Sequence, residues 1–204
     1  MTSTLKRAGA VFGILAIFAA ALFGAIAPAM AQQGTPHLIL TLKDGDVDIQ
    51  LMPEIAPKHV ARIIDLTNKG EYNGVVFHRV IDGFMAQTGD VKYGKTGGPD
   101  FNLANAGMGG SDEPDVPAEF SNTPYAPGIV GAARGGDPDS FNSQFFIMFT
   151  DMDPGAGASL TGQYTVFGKV VSGMDLVDNI KKGDPRSGQM ADPDKIISAK
   201  IAYK

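Results

Sequence analysis

After an unbroken apolar stretch from Ala8 to Ala27, the chain changes to short runs with a two-residue period. Leu38, Leu40 and Leu42 recur at every second position between His37 and Lys43, and Val47, Ile49 and Leu51 do the same after Asp44-Gly45. Alternation on both sides of an Asp-Gly pair predicts a β-hairpin, because Gly readily takes the dihedral angles of a two-residue turn. From Pro57 the spacing lengthens: Val60, Ile63, Ile64 and Thr67 share one face of a helix predicted over 57–69, with Pro57 at its start and Gly70 beyond its end. Asn73-Gly74 marks another turn. Strands are predicted at 75–81 and 84–88, folded back on each other by Asp82-Gly83. Apolar strands return at 128–132, 144–149 and 165–171. Met174, Val177 and Ile180 suggest a second helix over 173–182, and alternation over 195–203 (Ile197, Ala199, Ile201, Tyr203) predicts a closing strand. Many short strands with two helices indicate a mainly β fold, a barrel whose ends the helices plug; closure would also remove exposed strand edges. Residues 89–127 are rich in Gly, Pro, Asp and Asn and read as long loops with short strands, a length that usually means function or disorder. No internal repeat or linker follows residue 32.

Composition adds a compartment. Lys6-Arg7, the apolar stretch and Pro28-Ala29-Met30-Ala31 have the layout of a signal peptide over 1–31, cleaved after Ala31; the competing reading is a retained membrane anchor. Cleavage removes two positive charges, so the net charge of −5 becomes −7. Such a balance disfavours nucleic acid, which is bound through Lys and Arg, and disfavours anionic membrane surfaces. The expected location is the periplasm, with no stable membrane association after cleavage. The chain has no Cys, which excludes disulfides and thiolate chemistry and suits an oxidising compartment.

The densest chemistry lies in Phe77-His78-Arg79-Val80-Ile81-Asp82-Gly83-Phe84-Met85-Ala86-Gln87-Thr88-Gly89-Asp90. The Asp82-Gly83 turn folds two strands together and so offers one Arg and one Gln beside Phe and Met. An apolar surface with a few convergent polar groups is the make-up of a small binding site.

This block closely resembles the signature of the cyclophilins. Ser143-Gln144-Phe145-Phe146-Ile147 is similar to their second block, Val166-Phe167-Gly168-Lys169-Val170 to the third, and Gly128 to Arg134 to the segment before the second. The resemblance covers residues 36–204 in order. It implies a closed eight-stranded antiparallel β-barrel with two capping α-helices. The implied activity is peptidyl-prolyl cis–trans isomerisation by a monomer that takes proline-containing polypeptides and needs no cofactor or metal. Residue by residue it makes Arg79 catalytic. It places Phe84, Met85, Phe146 and Leu160 around the proline ring, with Tyr164 as a flat wall. Gln87, Ala133, Arg134 and Gln144 are implied to contact the substrate on either side. The family often carries Trp where Ser159 stands and His where Tyr164 stands; loss of the indole implies weak cyclosporin binding with isomerase activity kept. Arg134 stands where Asn is frequent, which adds a positive edge.

The remaining candidates read as structure. His78 invites a general-base role, but rotation about an amide needs no titrating base, so a buried, hydrogen-bonded His is expected. His37 and His59 lie outside any motif, and three scattered His residues do not make a metal site. Asp44-Gly45-Asp46-x-Asp48 lacks the Gly and Glu offsets of a calcium loop. The alternative function is a proline-peptide-binding holdase with little turnover, against which the intact Arg79 and Gln87 speak.

Overall fold

The computed structural model describes residues 34–151 and 160–204. The expected signal peptide and Ser159 lie outside these residues. β1 (Pro36–Leu42) and β2 (Gly45–Leu51) form the predicted hairpin, with Leu42 opposite Gly45. Its every-second-residue face, Leu38, Leu40, Val47, Ile49 and Leu51, is fully buried. α1 (Pro57–Asn68) follows, then β3 (Arg79–Ile81), β4 (Met85–Thr88), β5 (Ile129–Ala132), β6 (Phe145–Met148), β7 (Val166–Ser172), α2 (Met174–Asp178) and β8 (Ser198–Tyr203). The second helix is shorter than its apolar spacing predicts. The 75–81 strand contracts to its last three residues, because Val75 and Val76 make only isolated bridges.

The eight strands form one antiparallel sheet in the order β3-β4-β6-β5-β7-β2-β1-β8. The expected closure is not a ladder between β3 and β8, which end the sheet. An isolated bridge, Val76 with Lys195, spans the gap, with Phe77 N–H donating to Asp194 O and Ile196 N–H to Val75 O. The free edge of β3 is covered instead by the 183–189 segment: Val80 N–H donates to Gly188 O and Gly183 N–H to Val80 O. A short edge covered by a loop is protected from pairing with another chain without full closure. The concave side holds the core, where Leu38, Leu40, Ile49, Phe77, Phe145 and Phe167 meet Val60, Ile63 and Leu66 of α1. Burying each of the three helix side chains contributes about 1.5–3 kcal/mol.

The start of α1 has no local side-chain cap; Ala56 stands at that position. The first turn is capped from 60 residues away. The Glu119 carboxylate accepts Lys58 N–H at 3.1 Å, His59 N–H at 3.0 Å and His59 Nδ1 at 2.8 Å. His59 is fully buried and stacks on Phe141 with ring centroids 4.4 Å apart. One residue of the long 89–127 loop thus ties that loop to the helix.

Burial holds the His59 imidazole below its ordinary value, although Glu119 pulls the other way. The Glu119 carboxyl sits below its ordinary value because the Lys58 and His59 donors outweigh its own burial. Both groups bind fewer protons folded than unfolded. Their contribution is therefore complete above about pH 6.5 and is lost as pH falls, first through His59 and then through Glu119. Glu119→Ala removes the cap and orphans buried donors, and is expected to cost about 2–3 kcal/mol in urea unfolding at neutral pH. Because Glu119 holds the proton affinity of His59 up, its loss lowers that imidazole further, so the variant's stability should fall more steeply than wild type's between about pH 6.5 and about pH 5.

Candidate active site

Directly opposed residues of an antiparallel sheet point to the same face. Pairing aligns Arg79 with Gln87, Gln87 with Phe146, and Phe146 with Gly131. One row across β3, β4, β6 and β5 therefore presents a guanidinium, an amide, a phenyl ring and a gap. The adjacent row on the opposite face, Val80, Ala86, Ile147 and Val130, is fully buried in the core. Gly131 is a gap for a steric reason: a Cβ there would lie 2.5 Å from Phe146 Cζ and 2.5 Å from the Tyr125 hydroxyl.

The apolar part of the site forms a cluster separate from the main core. Met85, Phe146, Tyr125, Ile129, Met148 and Val166 are buried in it, and Phe84, Leu160, Tyr164 and Ala133 pack against it half-exposed. Tyr164 meets the edge of Phe146 at 5.9 Å, and Tyr125 stacks on its other side at 5.7 Å. Phe84 reaches the cluster because the Asp82-Gly83 turn, with Gly83 at φ 66°, returns the chain directly into β4.

Arg79 is half-buried at the edge of this cluster. Its Nη1 donates to Gln87 Oε1 at 3.3 Å and lies 3.8 Å from Met85 Sδ; its guanidinium carbon is 5.9 Å from the Phe84 ring centre. Among the described residues, no carboxylate forms an ion pair with it. Burial lowers its proton affinity below the ordinary guanidinium value, yet Arg stays charged in proteins. The 183–189 segment presses on its stem, since a Cβ on Gly188 would stand 2.8 Å from Arg79 Cγ.

Next to the cluster lies a groove of about 410 Å³, lined by Gln87, Gln144, Ala133, Arg134 and the Gly107–Gly110 backbone. All ten residues singled out in the sequence thus fall on one surface. Three differ in detail from expectation. Gln87 already uses its amide within the protein, accepting from Arg79 and donating to Gln144 Oε1 at 3.0 Å. The Ala133 N–H donates to Gln144 O, so only its carbonyl side can serve a ligand. Arg134 lies over the Tyr164 ring at 4.5 Å, with donors on Gln163 O and Gly135 O.

Sequence reasoning passed over Tyr125, buried inside the long loop segment. Among the described residues its hydroxyl has no hydrogen-bond partner, and burial pushes its proton affinity up. Its aromatic character among Pro and Asn residues was the available signal. His78 is buried as expected, with Gln144 and the Val76 backbone placed to favour its protonated form, but burial outweighs both and pulls the imidazole down to about 4. Among the described residues, no cluster of His, Asp or Glu could hold a metal ion.

The comparisons agree with this geometry. The model of the "Cyclophilin type peptidyl-prolyl cis-trans isomerase/CLD" family matches residues 37–201. A "Probable peptidyl-prolyl cis-trans isomerase" of Brucella suis is 56% identical over 187 residues, covering 91% of this chain and 92% of its own length. "Peptidyl-prolyl cis-trans isomerase A" of Dickeya dadantii is 35% identical over 192 residues, covering 88% of this chain and 92% of its own. Among solved structures, a cyclophilin from Hirschia baltica superposes with a TM-score of 0.63 at 27% identity, over 80% of this chain and 72% of that one. A Cryptosporidium parvum cyclophilin, solved in the presence of the dipeptide Ala-Pro, shares the fold with a TM-score of 0.66 at 24% identity, over 82% of this chain and 99% of that one. The chain belongs to the cyclophilin-type peptidyl-prolyl cis–trans isomerases.

Proposed function

We propose that Arg79 is the catalytic group and that the Phe84, Met85, Phe146, Leu160 and Tyr164 surface receives the proline ring of a polypeptide substrate. The carrying observation is the half-buried guanidinium beside that surface with, among the described residues, no carboxylate paired to it. Amide resonance sets a rotation barrier of about 18–20 kcal/mol. At the top of that barrier the prolyl nitrogen is no longer conjugated; it becomes pyramidal and basic. A fixed donor aimed at it stabilises the twisted amide over either planar form, and does so more strongly in a partly desolvated site. No covalent bond breaks, so no nucleophile or proton shuttle takes part. Ala133, Arg134, Gln87 and Gln144 line the flanking groove and would receive the residues before the proline. The chain acts as a monomer, needs no cofactor, and does not take nucleic acid as a partner.

Arg79→Ala is expected to lower kcat/KM in a prolyl-peptide exchange assay by about 10²-fold or more, with peptide affinity changed far less. Arg79→Lys should recover only part, since an ammonium lacks the planar fork. Equal rates for wild type and Arg79→Ala would overturn the assignment. The pH profile of kcat/KM should be level from about pH 6 to about pH 9, because Arg79 stays charged and His78, held near 4, stays neutral.

The 1–31 pattern supports export, cleavage and action on proline-containing chains in the periplasm. N-terminal sequencing of the protein from a periplasmic extract should begin at Gln32; a start at Met1 or Thr2 would exclude cleavage. With Ser in place of the indole at 159, calorimetry should show cyclosporin binding far weaker than nanomolar, while isomerase activity persists.

A further inference from the structure

Behind Gln87 runs a chain of polar contacts that the isomerase reaction does not itself require. It starts at Asp90, a fully buried carboxylate. One oxygen, Oδ1, closes a local turn by accepting Lys92 N–H at 3.1 Å and Tyr93 N–H at 2.8 Å. The other, Oδ2, accepts Gly107 N–H at 2.7 Å and Gly109 N–H at 2.9 Å, from a loop 17 and 19 residues further along. The carbonyls of the same two glycines both accept from Gln144 Nε2, at 3.0 and 2.8 Å. Gln144 Oε1 in turn accepts from Gln87 Nε2, and Gln87 Oε1 accepts from Arg79 Nη1.

Each link fixes the polarity of the next. Two carbonyls facing Gln144 demand its NH2 group, so its oxygen must face Gln87. That oxygen demands the Gln87 NH2, which turns the Gln87 oxygen toward the guanidinium. Were the Gly107 and Gly109 carbonyls to move away, both amides could rotate by half a turn at small cost. The Gln87 NH2 would then face the Arg79 N–H groups, donor against donor. The glycines are needed for the approach: a Cβ on Gly109 would stand 2.6 Å from Asp90 Oδ1 and 2.9 Å from Lys92 Cβ.

We propose that Asp90 is a positioning residue for Arg79, acting through the 107–109 loop and the amides of Gln144 and Gln87. The proposal rests on the reading of Arg79 as the catalytic group. Asp90→Asn tests it with almost no change in shape. The Asn oxygen can serve only one donor pair, and its NH2 must face the other. The local Lys92–Tyr93 turn retains the oxygen more easily than the distant loop does.

In Asp90→Asn, kcat is expected to fall about tenfold or more while KM stays within about twofold, as a misdirected catalytic group would give. In a Gln144→Ala background, where the relay is already cut, the same substitution should change kcat by less than about twofold. The side-chain amide resonances of Gln87 and Gln144 in nitrogen–proton NMR spectra should move in Asp90→Asn. Should that variant fail to fold, Gly109→Ala takes its place in the same cycle, since its methyl group pushes the loop off the carboxylate. Unchanged amide resonances, an unchanged kcat, or an equal loss in both backgrounds would each overturn the relay. Failure of the catalytic reading is separate: it would show as undiminished turnover in Arg79→Ala, with the amide resonances still responding to Asp90.

Discussion

A positive charge held at the rim of an apolar cluster by neutral partners is the constraint around which this site is built. Arg79 touches an amide oxygen, a thioether and a phenyl ring, and none of these carries a compensating charge. A carboxylate in their place would hold the guanidinium more tightly. It would also spend the charge before a substrate arrived, since charge-assisted bonds are the strong ones. Partial burial costs the ion some hydration. Part of that cost is recovered by the Gln87 bond and the face of Phe84. What remains is an under-solvated donor, and an under-solvated donor interacts strongly with a nitrogen lone pair that appears only in the twisted amide.

Weak neutral partners position poorly unless they are themselves rigid, so the burden passes to the scaffold. The row Arg79, Gln87, Phe146, Gly131 is fixed by strand register, and a slip of one residue would send every member into the core. The turn at Asp82-Gly83 sets the β3–β4 register, and the 183–189 segment clamps β3 from its free side. This accounts for a sheet that ends at β3 without a ladder to β8. A covering loop that holds the stem of Arg79 protects the edge and orients the side chain together, and another strand would leave less room for Gly188 to approach it.

The elements were legible in the sequence where periodicity was strong. The β1–β2 hairpin, α1 and the strands expected at 84–88, 128–132, 144–149 and 165–171 stand within a residue or two of their expected bounds, because burial on one face forces a regular period. The ten site residues were legible only through the block-wise resemblance; alternation could put Arg79 and Gln87 on neighbouring strands but could not bring Leu160 or Tyr164 to them. The 89–127 loop was not legible at all. Its order comes from side chains that accept backbone N–H groups across long sequence separations. Asp90 holds Gly107 and Gly109, Asn142 holds Ser111, and Glu119 holds Lys58 and His59. Such contacts leave no period, and an acidic residue in a Gly-rich stretch reads as solvated surface. Two predicted strands also lose their first residues, 75–78 before β3 and 195–197 before β8; these two stretches pair with each other and with loops through isolated contacts rather than a ladder.

His78 and Tyr125 show what this arrangement tolerates. Among the described residues, the Tyr125 hydroxyl is buried without a hydrogen-bond partner, at a cost of about 1–3 kcal/mol, and the His78 ring is buried with Gln144 and the Val76 backbone beside it. His78 directly precedes Arg79, and its ring lies against Gly107, where a Cβ would meet it at 3.0 Å. A side chain there must fill space between β3 and the loop without adding a charge next to the guanidinium. Neutral imidazole does so, because burial keeps it unprotonated far below neutral pH. A carboxylate would neutralise Arg79 and a second cation would repel it. Tyr125 does the same beneath Phe146: its ring supports the phenyl face, and the Gly131 gap accepts its hydroxyl. In both places the fold accepts a buried but uncharged group, and so adds no further charge beside the guanidinium of Arg79.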